Sequence, residues 1–236
     1  MGIIFHMFEH ILEDFDPKAS GARLATEGFV ILPTPIAEAN RHELIDFIDS
    51  VPANKCEINY GGTEKRIWDA HTKSPLIEAF RGFSNDLLER LYMRRPDAHT
   101  VLAYSNKPIP DDRELASGRW HLDSLRKQVK VFAFLTKTTE KSGPLEILRG
   151  THRSMFKVAE IARGTLLNAS LFTTGKRLYQ KLPDDQIDRI IASGKNAVPI
   201  LCEAGAIVIV NTSAIHRARP CFEQGRYALT SYYDHF

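Results

Sequence analysis

From about His99 onward the sequence predicts a succession of β-strands, and this feature most limits the folds that the chain can adopt. Apolar, β-branched and aromatic residues concentrate there in short segments bounded by turn-forming residues. The predicted strands are residues 100–105, 120–124, 128–136, 144–148, 206–210 and 226–233. An insertion at about 156–196 interrupts them with helical stretches, the clearest of which is 184–192.

The first 98 residues carry mainly helical patterns instead. An amphipathic helix is predicted over residues 3–15 and ended by Pro17, and a second over 18–26 with Gly28 as its left-handed cap. A strand over 29–32, helices over 36–48 and 75–92, and an irregular segment over 54–72 complete this part. Helices followed by strands predict a single α+β domain over residues 1–236, with the β-rich core in residues 99–236.

Composition narrows the classes of partner and compartment. With 236 residues, 43% of them hydrophobic, the chain can bury a sizeable core. A net charge of only +2 implies neither nucleic acid nor a membrane surface as a partner. Cys56, Cys202 and Cys221 form no CxxC pair, which suits a reducing compartment, and no apolar run approaches the roughly 20 residues that span a bilayer. We therefore expect a cytoplasmic protein, with its oligomeric state left open.

The segment 118–124, GRWHLDS, offers an imidazole and a carboxylate two residues apart. Alternate side chains of a strand point to the same face, so His121 and Asp123 project together while Leu122 turns into packing. A further histidine would complete a two-histidine, one-carboxylate triad, which binds one side of an octahedral iron and leaves the other side open. His216, which follows the buried strand 206–210 and a short loop, is the candidate. The simpler alternative is a strand-end histidine hydrogen-bonded to its neighbours.

Arg226 opens the last predicted strand, ten residues after His216. A guanidinium held inside a barrel can grip a carboxylate through two parallel hydrogen bonds. The alternative is a structural ion pair with Glu223 or Asp234.

Taken together, these landmarks resemble the phytanoyl-CoA dioxygenase-like branch of the Fe(II)/2-oxoglutarate oxygenases. Residues 120–123, WHLD, are similar to the family's HxD strand, and residues 142–152, SGPLEILRGTH, resemble its NGxLxxxPGSH hairpin. The distal histidine at 216 and the arginine at 226 follow in the family's order. Residues 27–33, EGFVILP, are similar to the dGfvvlp segment usual near the family's N-terminus.

The resemblance implies a double-stranded β-helix, which is a jelly-roll or cupin-like barrel with helices packed outside. It also implies Fe(II), 2-oxoglutarate and O2 as metal, cosubstrate and oxidant. On this model His121, Asp123 and His216 bind iron, and Arg226 binds the distal carboxylate of 2-oxoglutarate. Phe132 falls where relatives often place an aromatic residue beside the cosubstrate, and Tyr104 falls where they often place a polar one.

Three positions depart from the family pattern or compete with it. Ala218 and Ala228 stand where several relatives use a serine to hold 2-oxoglutarate, and Thr230, on the same strand face as Arg226, can take over that role. His152 competes as a third metal ligand, but in relatives the histidine of this hairpin is structural.

The expected reaction is hydroxylation of an unactivated carbon in a small molecule, with succinate and CO2 as coproducts. Basic residues cluster in sequence around the metal strand and the hairpin, which suggests an anionic substrate; they are Arg119, Arg126, Lys127, Lys130, Arg149 and Arg153. The insertion at 156–196 is the expected lid. Three alternatives stay open: the same chemistry on a macromolecule, a non-catalytic metal-binding β-barrel, and a zinc hydrolase.

Overall fold

The computed structural model describes residues 7–109, 118–166 and 180–233. Its helices are α1 (Glu9–Glu13), α2 (Pro17–Glu27), α3 (Glu38–Ser50), α4 (Pro75–Tyr92), α5 (Ser154–Ala162) and α6 (Asp184–Ala192). Its strands are β1 (Phe29–Ile31), β2 (Glu57–Asn59), β3 (Glu64–Ile67), β4 (Thr100–Asn106), β5 (His121–Leu122), β6 (Val129–Phe134), β7 (Leu145–Leu148), β8 (Gln180–Lys181), β9 (Ala197–Pro199), β10 (Ile207–Asn211), β11 (His216–Ala218) and β12 (Arg226–Tyr232).

The strands form two antiparallel sheets. The large sheet has seven strands in the order β1-β10-β6-β12-β4-β3-β2, and the small sheet has five in the order β8-β5-β11-β7-β9. A cluster of buried side chains joins the inner faces of the two sheets, including Phe132, Phe134 and Val208 from the large one and Leu145 and Ile147 from the small one. The space between the sheets is thus a core at one end and, as shown below, a cavity at the other.

The helices of the first hundred residues cover the outer face of the large sheet. A second buried cluster joins Leu44, Ile48, Phe80 and Leu87 of these helices to outward-facing residues of the large sheet such as Val131. Alternate residues of the central strands therefore pack outward against helices and inward toward the cavity, which explains their continuous burial. None of the helices in the described ranges is long and apolar enough to cross a membrane.

The predicted glycine cap of α2 and the predicted bounds of α4 are confirmed. Asp16 accepts hydrogen bonds from the backbone N–H groups of Lys18 and Ala19 at 2.9 and 3.0 Å, and Gly28 ends α2 at a φ of 86°. Helix α4 begins at Pro75 and ends at Tyr92, as its apolar period predicts.

Two predictions for this region are wrong in part. Residues 3–6 of the helix predicted over 3–15 lie outside the described residues, and the described part is helical only over Glu9–Glu13. Pro17 begins α2 instead of ending α1, because its fixed φ suits the first helical position. Residues 54–72 are not irregular. They contain the β2–β3 hairpin, whose turn includes Gly61 at a φ of 66°, and this hairpin extends the large sheet.

Candidate metal and cosubstrate site

The two predicted histidine ligands lie side by side on the small sheet. Strands β5 and β11 pair so that His216 stands directly opposite His121, with 4.3 Å between the ring centroids. Asp123 follows β5 by one residue, and its backbone N–H donates to the carbonyl of Thr212 at 3.1 Å. The ligand atoms of His121, Asp123 and His216 all lie within 4.8 Å of one another, so the structure brings the predicted triad together.

Backbone carbonyl groups fix the orientation of both rings. Nδ1 of His121 donates to the carbonyl of Arg119, and Nδ1 of His216 donates to the carbonyl of Ala214, each at 2.8 Å. A carbonyl can only accept, so each Nδ1 carries the proton. Nε2 of each ring is therefore the nitrogen that could bind a metal.

Burial and the local charges set the protonation state that a metal requires. Burial, with His216 as its neighbour, lowers the pKa of His121 to about 3, and burial lowers the pKa of His216 as well. Burial alone would raise the pKa of Asp123, but the ammonium of Lys130 and the two imidazoles hold that pKa well below its usual range. At neutral pH the site therefore presents two neutral imidazoles and one carboxylate, the form in which these groups bind metal.

The donor set fits a divalent transition metal. Asp123 Oδ2 lies 3.9 Å from His216 Nε2. The same oxygen is buried and lies 2.6 Å from Lys130 Nζ, yet it accepts no well-directed hydrogen bond from the described residues. Two nitrogen donors and one oxygen donor that line one cavity match the two-histidine, one-carboxylate set that binds iron in proteins.

Arg226 lies on the large sheet, facing the same cavity. It is only 4% exposed, and its guanidinium donates to the carbonyl of Gly143 and, at 3.0 Å, to Oδ1 of Asn106. Its Nε has no hydrogen-bond partner among the described residues. A buried guanidinium whose described partners are all neutral favours an anionic ligand.

The alternative reading of Arg226 as a structural ion pair finds no support in the described residues. Glu223 forms an ion pair with Lys141 instead. Asp234 lies outside the described residues.

Both groups of residues open on one cavity of about 380 Å³. Its lining includes all seven residues predicted from sequence, namely Tyr104, His121, Asp123, Phe132, His216, Arg226 and Thr230. Burial raises the pKa of Tyr104, and the hydroxyl of Thr230 is buried without a well-formed hydrogen bond in the described part of the chain. The lining also includes residues that the sequence did not single out for the site, namely Glu64, Arg66, Leu102, Leu145, Lys181 and Tyr232.

Several predicted neighbours of the site lie elsewhere. His152 donates from Nε2 to the carbonyl of Ala25 at 2.9 Å, away from the triad, which agrees with a structural role. Arg149 pairs with Glu27 at 2.6 Å, and Arg153 donates to the carbonyl of Thr26. Within the basic cluster of the sequence, Lys130 is the member found among the cavity-lining residues.

Residues 109–222 match the family model of phytanoyl-CoA dioxygenase. The resemblance to the phytanoyl-CoA dioxygenase family is thereby confirmed. The matched range contains the HxD strand, the glycine-containing hairpin and His216, and it ends four residues before Arg226. A comparison with proteins of curated function gave no match.

Solved structures with the same fold include proteins that hold iron, nickel or 2-oxoglutarate. EctD from S. alaskensis, solved with 2-oxoglutarate and 5-hydroxyectoine, is 15% identical with a TM-score of 0.68 over 94% of this chain and 77% of its own. The epimerase SnoN, in complex with Fe3+, alpha ketoglutarate and nogalamycin RO, is 14% identical with a TM-score of 0.65 over 92% and 82%. HygX from Streptomyces hygroscopicus, with nickel and 2-oxoglutarate bound, is 13% identical with a TM-score of 0.60 over 92% and 86%.

These likenesses confirm the predicted double-stranded β-helix with helices packed outside. The phytanoyl-CoA dioxygenase match and the fold together support the activity of an iron- and 2-oxoglutarate-dependent oxygenase. Because SnoN is an epimerase, the fold alone does not choose the outcome of the oxidation.

Proposed function

We propose that the protein is an Fe(II)- and 2-oxoglutarate-dependent dioxygenase that hydroxylates an unactivated carbon of a small molecule, releasing succinate and CO2. The observation that carries the proposal is a pair of features in one cavity. A His-Asp-His set with two buried histidines and a half-buried aspartate lies at the small sheet, and a buried arginine with neutral partners faces it from the large sheet. Such a cavity offers a place for a metal and for a carboxylate at once.

His121, Asp123 and His216 would hold the iron through two Nε2 atoms and one carboxylate oxygen. Bound iron and 2-oxoglutarate would supply oxygen activation coupled to oxidative decarboxylation of the cosubstrate. Arg226 would bind the distal carboxylate of 2-oxoglutarate, and Asn106 and the Gly143 carbonyl hold the guanidinium in place for it.

Tyr104 and Thr230 would donate hydroxyl hydrogen bonds to the cosubstrate, and Phe132 would pack against its carbon chain. All three line the cavity on the large sheet, as does Leu102. The apolar side chains exclude water around the reacting carbon, which protects the oxidised centre from side reactions and strengthens the polar contacts of the site.

A single oxygenase domain over residues 1–236 goes with this function. We propose that the described parts of the insertion at 156–196, residues 156–166 and 180–196, act as its lid. Strand β8 supports that role, since it joins the small sheet beside β5 and brings Lys181 to the cavity. A compact cavity of about 380 Å³ favours a small molecule over a macromolecule as substrate.

The test is an anaerobic titration of the protein with Fe(II) and then 2-oxoglutarate, followed through the weak visible charge-transfer band of the chelate. We expect the band in the wild type. In Arg226→Ala we expect about a hundredfold weaker binding of 2-oxoglutarate, because two charge-assisted hydrogen bonds are lost. Arg149→Ala, which removes an arginine outside the cavity, is the matched control and should bind 2-oxoglutarate like the wild type.

If iron binds to the triad but 2-oxoglutarate produces no band, the oxygenase reading is wrong. The protein would then be a non-catalytic metal-binding barrel or a metal-dependent hydrolase. If the band forms and Arg226→Ala leaves it unchanged, the cosubstrate lies elsewhere in the cavity.

A further inference from the structure

We propose that the substrate carries a carboxylate or phosphate group, and that Lys130 and Lys181 bind this group beside the metal site. The inference rests on the proposed function and names the substrate class of the same cavity. The two lysines flank the triad on different strands, at the end of the cavity away from Arg226.

Lys130 reaches the triad from the large sheet. It lies on β6 opposite Tyr232 of β12, its ammonium is 4.2 Å from the centre of the Tyr232 ring, and its side chain is only 9% exposed. The ammonium is also 2.6 Å from Asp123 Oδ2. Lys130 thus brings a positive charge to the boundary between the metal ligands and the cavity.

Lys181 reaches the triad from the small sheet. Strand β8 pairs with β5 so that Lys181 stands opposite His121, and directly opposed residues of antiparallel strands project to the same face. Lys181 lines the cavity, is exposed, and takes part in none of the ion pairs formed among the described residues. Its ammonium is therefore available to a ligand that enters the cavity.

The anion held by these lysines is distinct from the cosubstrate. One carboxylate of 2-oxoglutarate is assigned to the metal and the other to Arg226. Arg226 and Tyr232, the strand partner of Lys130, are six residues apart on β12, which is roughly 20 Å along a strand. The backbone positions that carry Lys130 and Arg226 are therefore well separated along the large sheet, which suits two separate anionic ligands.

The balance of charge in the cavity points the same way. Its lining holds four cations, Arg66, Lys130, Lys181 and Arg226, against two carboxylates, Glu64 and Asp123. Glu64 is engaged by Arg66 at 3.0 Å. A metal ion bound to Asp123 would weaken the ion pair between Asp123 and Lys130. A bound substrate anion would then neutralise the charge of the buried Lys130 ammonium.

The basic residues that suggested an anionic substrate from sequence are mostly not the ones that carry this proposal. Arg149 and Arg153 contact Glu27 and the Thr26 carbonyl away from the cavity. Lys130 belongs to that earlier set, whereas Lys181 lies 58 positions further along the chain from Asp123 and meets the site only through the pairing of β8 with β5.

The proposal is tested by calorimetric titration of the protein loaded with Mn(II) and saturating 2-oxoglutarate. The titrants are inorganic phosphate and acetate, with acetamide as the uncharged counterpart of acetate. We expect saturable binding of at least one anion and none of acetamide; the tighter anion identifies the group. Loss of one charge-assisted hydrogen bond predicts about tenfold weaker anion binding in Lys181→Met and in Lys130→Met.

Arg149→Met is the matched control, since it removes a cation that lies outside the cavity, and it should bind the anion like the wild type. Lys181→Met keeps the test decisive if Lys130→Met disturbs Asp123 and the metal. Absence of saturable anion binding, or equal binding in all variants, overturns the inference. So does a loss of 2-oxoglutarate binding in Lys181→Met, because the lysine would then belong to the cosubstrate site.

Failure of the proposed function would look different. The wild type would bind Mn(II) but not 2-oxoglutarate, before any anion is added, and the substrate inference would be withdrawn with it. If 2-oxoglutarate binds and the anions do not, only the substrate inference is wrong.

Discussion

Replacement of Glu64 by glutamine should weaken 2-oxoglutarate binding although Glu64 touches no expected ligand. Glu64, Asn106 and Arg226 stand side by side on β3, β4 and β12. Asn106 donates from Nδ2 to Glu64 Oε1 at 3.3 Å and accepts at Oδ1 from Arg226 at 3.0 Å. The carboxylate therefore sets which way the Asn106 amide points, and the amide in turn holds the guanidinium.

The expected loss of 2-oxoglutarate affinity follows from the hydrogen-bond donors around the Glu64 carboxylate. Glu64 is 3% exposed and accepts hydrogen bonds from Asn59, Arg66 and Asn106. A glutamine amide must turn its NH2 group toward one of these donors. If Asn106 flips to accept from it, Asn106 Nδ2 faces Arg226 and that hydrogen bond is lost, at a cost of about 0.5–1.5 kcal/mol, or roughly two- to tenfold in affinity.

The assay is the anaerobic titration with Fe(II) and 2-oxoglutarate, run alongside urea unfolding. Glu64→Gln should also lower the free energy of unfolding by about 1–3 kcal/mol, because Arg66 loses a buried partner. Glu57→Gln is the control: it removes a carboxylate from the same hairpin that bonds Asn59 and Trp68 and does not reach Arg226. Unchanged 2-oxoglutarate affinity in a destabilised Glu64→Gln would refute the positioning role and leave a structural one.

Three further predictions concern stability and pH. Met93 caps the end of α4 in the left-handed region, at a φ of 54°, and is 91% exposed. Because glycine adopts this conformation without strain, Met93→Gly should raise the free energy of unfolding in urea by about 0.5–1 kcal/mol. An unchanged free energy of unfolding would contradict backbone strain at this position. A Cβ at Gly143 would lie 2.6 Å from the Arg219 carbonyl, so Gly143→Ala should lower the free energy of unfolding by about 2 kcal/mol or more. It should also weaken 2-oxoglutarate binding, because the Gly143 carbonyl that accepts from Arg226 would be displaced. Unchanged unfolding and unchanged 2-oxoglutarate binding would contradict this prediction. Burial lowers the pKa of Lys157 to about 8 from 10.5, so with rising pH the folded protein loses this proton before the unfolded chain does. The free energy of unfolding should therefore rise with pH above about 8 relative to that of Lys157→Met. Parallel pH profiles of unfolding for the wild type and the variant would contradict this.

The parts of the fold that sequence predicts well are those with a long period or a strong capping signal. The 18 residues of α4 give several turns of apolar repeat after a proline, and α2 ends at the predicted cap Gly28. The long strands β4, β6, β10 and β12 carry five to seven residues of continuous or alternating burial. In each case many residues report on the same element, so local exceptions do not hide it.

The β2–β3 hairpin was missed because its inward side chains are charged. Glu64 and Arg66 face the cavity, so the strand lacks the apolar alternation by which a half-buried strand is recognised. Strands β5, β8, β9 and β11 have only two or three residues each, too few for a period. Their positions are set by long-range pairing, which is also why Lys181 could not be placed beside His121 from sequence.

In the candidate site, too, the residues close in sequence were predictable and the long-range contacts were not. The grouping of His121, Asp123 and His216 was predictable because the first two are two residues apart in sequence and the family pattern supplied the third. The contacts around Arg226 were not, since Asn106 and the Gly143 carbonyl come from β4 and from the hairpin before β7, 120 and 83 positions away.

The distribution of the site over two sheets has a physical consequence for its assembly. The three proposed metal ligands belong to the small sheet and its loops, whereas the proposed cosubstrate contacts belong to the large sheet. The helices stabilise the large sheet from outside, but the small sheet meets it mainly through the inner cluster around Phe134 and Ile147. A chelate of metal and 2-oxoglutarate would bridge the two sheets across the cavity, so ligand binding and sheet packing should stabilise each other. By mass action, a cosubstrate at a hundred times its dissociation constant would raise the free energy of unfolding by about 2.7 kcal/mol. The cavity end, where charged and polar groups replace the apolar core, is accordingly where we expect the metal-free protein to open first.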